Sequence, residues 1–357
     1  MKVLFLTKYP ASGASSRYRV YQYVGQLEEL GVKCKAQSFY SEKGYKAVFL
    51  GTSQFQKALA VFSAYIRRVA VVLTARKFDM VYMQRELLPF GPLILERWLK
   101  WRGMKLVFDY DDALFIGKPS SVSSLATRLR RPDRIKKIFG LVDGVVAGNN
   151  YLKEQAARYC RKTYVLEVAE DLARITQRAA HKDTSEVTLG WLGSRSTEKY
   201  LHFLTPVFQK FFNKFPDSRL LVVGGGSYAP DGIPVVHESW SYEREGDLLH
   251  QFDIGLMPLP LEEWSLGKCG GKARTYMAAG VPAVCTGIGY NCDLIHHHQT
   301  GMLVESDEEW LDALTELASD SSLRQSIADA ARSDVETRFN ISVITDQLAK
   351  IIREISG

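Results

Sequence analysis

GKCGGKARTYMAAGVP, residues Gly267 to Pro282, sets two lysines, Lys268 and Lys272, and a glycine pair, Gly270 and Gly271, where a helix should begin. A strand-like run, Phe252 to Met257, precedes it across the short polar loop Pro258 to Leu266. The helix runs through Ala273, Thr275, Tyr276, Met277 and Ala278. Gly280 and Pro282 stop it, and a second strand, Pro282 to Thr286, follows. This is a strand–loop–helix–strand unit of an α/β protein. Free backbone N–H groups and the helix dipole make a glycine-rich helix start an anion site, and a lysine beside it points toward phosphate. The alternative is an ordinary helix start with two solvated lysines.

The alternation of strand and helix continues in both directions through 357 residues, enough for about two domains. No apolar run reaches the ~18 residues of a membrane span. Met1 to Leu6 enters a strand pattern directly, so no signal peptide is expected and the cytoplasm is the expected location. The five cysteines form no CxxC pair, which argues against a disulfide framework or a zinc site. Charge is uneven. Residues 1–170 hold 29 Lys and Arg against 14 Asp and Glu, and residues 171–357 hold 17 against 26. Such asymmetry marks a surface with an anionic partner: nucleic acid, a membrane face or a phosphorylated substrate.

In the first half, the strand Val3–Leu6 leads into a Gly/Ser-rich loop, Lys8 to Ser16. Gly13 there permits close backbone approach to a ligand, and Arg17 and Arg19 can hold an acid or phosphate or lie on a solvated helix face. Lys57 to Lys77 reads as a helix apolar nearly all round. Leu87 to Arg102 reads as another, with Trp98 and Trp101 among basic residues. That pairing suits either a membrane interface or a helix packed on the sheet. Asp109, Asp111 and Asp112 stand at the end of the strand Lys105–Phe108, where a carboxylate can orient or deprotonate a hydroxyl, or simply cap a helix. All seven histidines come after residue 180, so the first half has no histidine base. The basic run Arg128 to Lys137 has few aromatics, which argues against nucleic acid. Residues 169–186 read as a linker.

In the second half, Val187–Leu192 restarts the alternation, followed by the loop Gly193 to Thr197 and a long helix, Glu198 to Phe215. Gly224, Gly225 and Gly226 follow a strand, as a tight turn or a close approach, without the spacing of a dinucleotide fingerprint. His296, His297 and His298 are consecutive and share no helix face, so no metal site is expected. Two alternating domains place every glycine-rich or charged loop at strand ends facing a cleft.

With KVLFLTKYPASGASSRYR, KLVFDYDDALF, VDGVVAGNNYL, TLGWLGSRST, RLLVVGGG and GKCGGKARTYMAAGVPAV, nearly the whole chain resembles family 4 glycosyltransferases, the large retaining group of GT-B fold. The resemblance implies an α/β protein of two Rossmann-like doubly wound domains. These are residues 1–168 for the acceptor and 187–340 for the donor, with the final helix, 341–357, packing back toward the first. It implies transfer of a sugar from a nucleotide-sugar donor to a glycan or lipid-linked acceptor, with no essential metal. Lys272 is implied to neutralise the donor diphosphate, with Lys268 assisting. Gly13, Gly193, Ser194, Arg195, Gly224, Gly225, Gly270, Gly271, Thr275, Tyr290 and Asn291 are implied around the donor, and Arg17 and Arg19 at the acceptor. The family's two motif glutamates fall at Gly267 and Thr275. Its first-domain histidine is replaced by Asp109, Asp111 and Asp112 at the corresponding edge.

The expected function is therefore retaining sugar transfer in surface polysaccharide or glycolipid synthesis. The basic first domain is expected at an anionic membrane surface on the inner face of the cell membrane. A non-catalytic GT-B module, acting as partner subunit or sugar-binding scaffold, is the alternative that the missing glutamates suggest. A sugar-nucleotide epimerase is a third.

Overall fold

The computed structural model describes residues 1–49, 51, 53–116, 133–180 and 186–357. The chain divides into two units, Met1–Ala169 with Ile341–Gly357, and Glu170–Asn340. In the first, β1 (Lys2–Thr7), β2 (Lys33–Ser38), β3 (Met80–Gln84), β4 (Lys105–Tyr110), β5 (Gly144–Ala147) and β6 (Thr163–Val165) form one sheet in the order β2-β1-β3-β4-β5-β6. In the second, β7 (Thr188–Leu192), β8 (Arg219–Val223), β9 (Val235–Glu238), β10 (Ile254–Met257), β11 (Ala283–Thr286) and β12 (Met302–Val304) lie in the order β12-β11-β10-β7-β8-β9. Every described pairing is parallel. Strands such as β3, β7 and β10 are buried throughout, which is why they read as apolar runs without alternation.

The final helix, Ile341–Ser356, belongs to the first unit and buries Ile344, Leu348, Ile352 and Ile355 there. Gly144 makes room for it, since a Cβ at that position would lie 2.5 Å from Ile355. The boundary falls at 169/170, so part of the expected linker is not one. Ile175 is fully buried in the second unit's core, and Arg178 N–H donates to the Ala279 carbonyl. Residues 181–185 of that linker, and 128–132 of the basic run, lie outside the described residues. The long helix expected from Glu198 is broken into Arg195–Glu198, a tighter turn Lys199–Leu204, and Thr205–Lys214, which restarts with proline in its first turn.

In each sheet the strand order reverses beside the first strand, between β1 and β3 and between β7 and β10. Crevices at strand C-termini form at such points. In the second unit the reversal is held open by one side chain. β7 and β10 pair only at Leu189–Ile254 and Gly190–Gly255, then part. The ring of Tyr276, on the helix Gly271–Ala278, lies over Gly255, where a Cβ would sit 2.5 Å from it. Its hydroxyl accepts from Leu192 N–H at 2.9 Å and donates to the Leu256 carbonyl at 3.2 Å, bridging the gap between the two strands. Gly190 does the same for Phe252, whose ring would be 2.0 Å from a Cβ there.

Tyr276→Phe leaves Leu192 N–H and the Leu256 carbonyl buried without partners. It is expected to cost about 1–3 kcal/mol in denaturant unfolding. Gly255→Ala, which drives a methyl into the ring, is expected to cost at least as much; wild-type stability in both would remove this bridge from the account.

Candidate functional site

Lys272 is the second residue of the helix Gly271–Ala278. Gly270 precedes it at φ +63°, with Leu294 and Tyr290 so close that a Cβ would meet them at 2.7 and 2.9 Å. Only glycine satisfies both the left-handed turn and the space. The turn aims the lysine back across the opened strands. Its ammonium lies 5.6 Å from the Trp191 ring centroid, and its Cε would be 3.0 Å from a Cβ at Gly193. Gly224, at φ +81°, closes the same corner, since its Cβ would fall 2.4 Å from the Gly193 carbonyl. Thus Gly193, Gly224 and Lys272 meet at the C-terminal ends of β7 and β8 and a helix N-terminus. Burial first, and then Lys268, push the Lys272 ammonium down to about 8, with Cys285 opposing. Among the described residues no carboxylate pairs with it. A half-buried cation without a counter-ion, beside unpaired N–H groups at a helix start, is built for an anion.

The glycine run after β8 is shaped by the chain itself. Glu198 accepts the N–H groups of Gly226, Ser227 and Tyr228 at 2.8–2.9 Å and the Ser227 hydroxyl at 2.7 Å. Although burial opposes it, this ring of donors holds the carboxylate down near 2. A Cβ at Gly225 would strike Glu198 at 2.5 Å. The close approach expected at Gly224 and Gly225 is therefore to Gly193 and Glu198. Ser194 and Arg195 are exposed, and Ser194 shares its hydroxyl with Ser196 at 2.8 Å. Gly271 is open, with nothing near its missing side chain. The Lys268 ammonium lies 5.2 Å from the Trp264 ring centroid.

Thr275 is buried, and its hydroxyl donates to Glu170 at 3.1 Å and to the Gly271 carbonyl at 2.9 Å. Glu170 is itself buried, and its backbone N–H donates to Phe339. Burial pushes its carboxyl up to about 7 against the pull of Arg274. Arg274 is fully buried and donates to the Cys269 carbonyl at 2.9 Å and the Tyr290 hydroxyl at 3.4 Å. Tyr290 thus meets protein through its phenol. Asn291 is buried, and its amide donates to the Thr286 carbonyl at 2.9 Å. Both side chains brace the turn around Gly289, rather than standing open as the expected donor contacts would.

The first unit corrects two further expectations. Arg19 and Asp109 are both wholly buried and form a two-point ion pair with each other, with Arg19 Nε donating at 3.1 Å. Tyr82 donates to the same carboxylate at 3.0 Å. Neither Asp109 as a reacting carboxylate nor Arg19 as an acceptor ligand has a path to a surface, because each neutralises the other inside the core. Asp111 and Asp112 stay partly open and both pair with Arg85, at 3.4 and 2.6 Å, while Ser15 donates to Asp111 at 3.1 Å. Arg17 is turned onto the carbonyls of Ala11 and Ser12 and onto the Tyr18 ring. Gly13 is buried against Tyr9, 2.5 Å from where its Cβ would be, so its bareness serves the loop.

Residues 186–320 match the family model for glycosyl transferases group 1. The match lies within the second unit. No curated protein sequence matches the chain. Among solved structures, Anabaena HepE in complex with UDP-glucose superposes at a TM-score of 0.70 with 15% identity, covering 99% of this chain and 100% of HepE. A glycosyltransferase from Rickettsia africae gives 0.70 at 16% identity, over 99% and 98%. Sucrose-phosphate synthase from Thermosynechococcus elongatus gives 0.68 at 14%, over 99% of both chains. At such identities the likeness establishes the fold, GT-B.

Within the second unit the residues unforeseen from sequence are Trp191, Glu198 and Glu170. Trp191 stands in the motif TLGWL, and an aromatic two residues before Gly193 is the signal it offers. Glu198 and Glu170 carried none, since their partners lie 28 and 105 residues away.

Two outcomes follow. The Lys272 ammonium titrates at its ordinary 10.5 in the unfolded chain and near 8 in the fold. Charging it therefore costs stability at every pH below 8, less between 8 and 10.5, and nothing above. Lys272→Met should raise the melting temperature at pH 7 by about 2–5 °C, the gain vanishing above pH 10.5 in a thermal scan series. In the first unit, Asp109→Ala strands a buried guanidinium and should lower stability by about 3–5 kcal/mol in a denaturant titration.

Proposed function

We propose that the chain transfers a sugar, with retention at the anomeric carbon, from a nucleotide-sugar donor to a glycan or lipid-linked acceptor. The observation that carries this is Lys272: a half-buried ammonium, without a counter-ion among the described residues, at a helix N-terminus between Gly193 and Gly224. A nucleoside diphosphate supplies the missing charge. In transfer, the sugar–phosphate bond breaks, the diphosphate departs with its electron pair, and the acceptor oxygen bonds the anomeric carbon as its proton passes to the departing phosphate. Lys272 and the N–H groups at Gly270 and Gly271 meet the growing negative charge. The lysine brings the charge a divalent cation would otherwise bring, so turnover should survive a chelator. HepE and its bound UDP-glucose make UDP sugars the first donors to test.

On the acceptor side we place Asp111 and Asp112, held by Arg85, as the carboxylates that orient the incoming hydroxyl. A lipid-linked acceptor suits the basic first unit and an anionic membrane surface on the cytoplasmic side. Among the described residues no helix is long and apolar enough to cross a membrane, so the association proposed is peripheral. Surface polysaccharide or glycolipid synthesis is the process in which such an acceptor occurs.

One observation favours a non-catalytic nucleotide-sugar module. Thr275, where the family's second glutamate falls, is already occupied by Glu170. The two readings separate in a single experiment, calorimetric binding of UDP, GDP, ADP and their sugar conjugates, followed by release of nucleotide with an acceptor extract. Transfer predicts binding and release, both lost in Lys272→Ala. A ligand raises the ammonium's pKa, so affinity should fall about tenfold per pH unit above pH 8 in wild type alone. Binding without release selects the module, and equal binding by wild type and Lys272→Ala removes this site from the account.

A further inference from the structure

The helix Gln54–Leu73 is packed inside out. Six large apolar residues, Phe55, Leu59, Phe62, Ile66, Val69 and Leu73, recur at alternating spacings of four and three. They share one face, and that face is outward: Phe55 is 77% exposed, Phe62 65%, and the others more than a third. None of the helix's three cations is exposed. Arg68 is wholly buried and donates to the Thr7 carbonyl, Arg67 donates to the carbonyls of Ser38 and Phe39, and Lys57 is half-buried. Twenty residues make a stripe about 30 Å long, too continuous for chance exposure.

The surroundings say what covers it. The helix Glu42–Phe49 packs against it at Gly44 and Ala60 and carries exposed Lys43 and Lys46. Arg76 and Lys77 follow its C-terminus. The helix Ile94–Trp101, also beside it, exposes Ile94 and Trp101, the latter by 78%, with Arg97 and Arg102 exposed as well. Residues 43–105 hold twelve Lys and Arg against three Asp and Glu. Two copies of such a face would set like charges against each other. An apolar stripe with an aromatic edge and basic flanks instead complements an anionic lipid surface.

We propose that the outward face of Gln54–Leu73, with Trp101 and the neighbouring basic residues, docks the protein on an anionic bilayer with the helix lying in the interface plane. This gives a place to the membrane partner in the function proposed above. It is measured without any donor, so its failure leaves sugar transfer standing.

The test is flotation of the full chain with vesicles of phosphatidylcholine alone and of phosphatidylcholine with phosphatidylglycerol. Phe62→Glu with Ile66→Glu lies wholly on the exposed face, so folding is checked by an unchanged melting temperature. Wild type should float with the anionic vesicles, and the double variant should partition at least about tenfold less. Arg97→Glu with Arg102→Glu should lose about fivefold per charge removed. Brominated lipid should quench a fluorescence component that Trp101→Phe abolishes. Equal flotation of wild type and the Phe62/Ile66 variant, or equal binding to neutral vesicles, would overturn the proposal. So would a vesicle-independent dimer that the same variant dissociates, which would assign the stripe to a second copy.

Discussion

Parallel strands stay together only while their backbone groups have partners, and β7 and β10 stop pairing after two residues. What lets them part is the hydroxyl of Tyr276, which satisfies one group from each strand. Much else in the second unit follows from it. The ring requires Gly255 beneath it. Its position sets the depth and direction of the helix Gly271–Ala278, and hence where Lys272 points. Gly193 and Gly224 then have to be bare, because the chain crosses itself in the corner that the parted strands leave.

The same corner explains why the fold tolerates a charge it does not neutralise. Trp191 offers the Lys272 ammonium a ring face, and the described residues offer it no carboxylate. The fold thus carries at this point an electrostatic debt that binding can discharge. Glu198 is the opposite case, a carboxylate whose Oε1 accepts three backbone N–H groups and whose Oε2 accepts the Ser227 hydroxyl. One charged group is left in want of a partner and the other becomes a quiet clamp. Counting partners distinguishes them.

The alternation of strands and helices, the helix start at Gly271 and the place of Lys272 in its first turn were legible in the sequence, because each is a local pattern. What was not legible depended on pairing across long separations. Asp109 looked like a reactive acid until Arg19, ninety residues earlier in the chain, was found on it. Glu170 was read as linker because its contacts are with Phe339 and Thr275. The helix Gln54–Leu73 shows a subtler limit. Its four–three apolar spacing is plain in the sequence, but such a stripe is ordinarily assigned to the core. The carbonyls at the ends of β1 and β2 receive the arginines, which turn inward instead.

Those inward arginines have a geometric consequence. They grip the carbonyls of Thr7, at the end of the strand from which the loop Lys8–Gly13 departs, and of Ser38 and Phe39, at the end of its neighbour β2. The helix is therefore a spacer of fixed height, about 10 Å across. Whatever plane its outer face rests on, the strand ends stand at one set elevation above it. A molecule rooted in that plane reaches the loop only if its stem has the matching length. Reach, set by the fold before any hydrogen bond forms, is thus a property of this helix as much as of the loop.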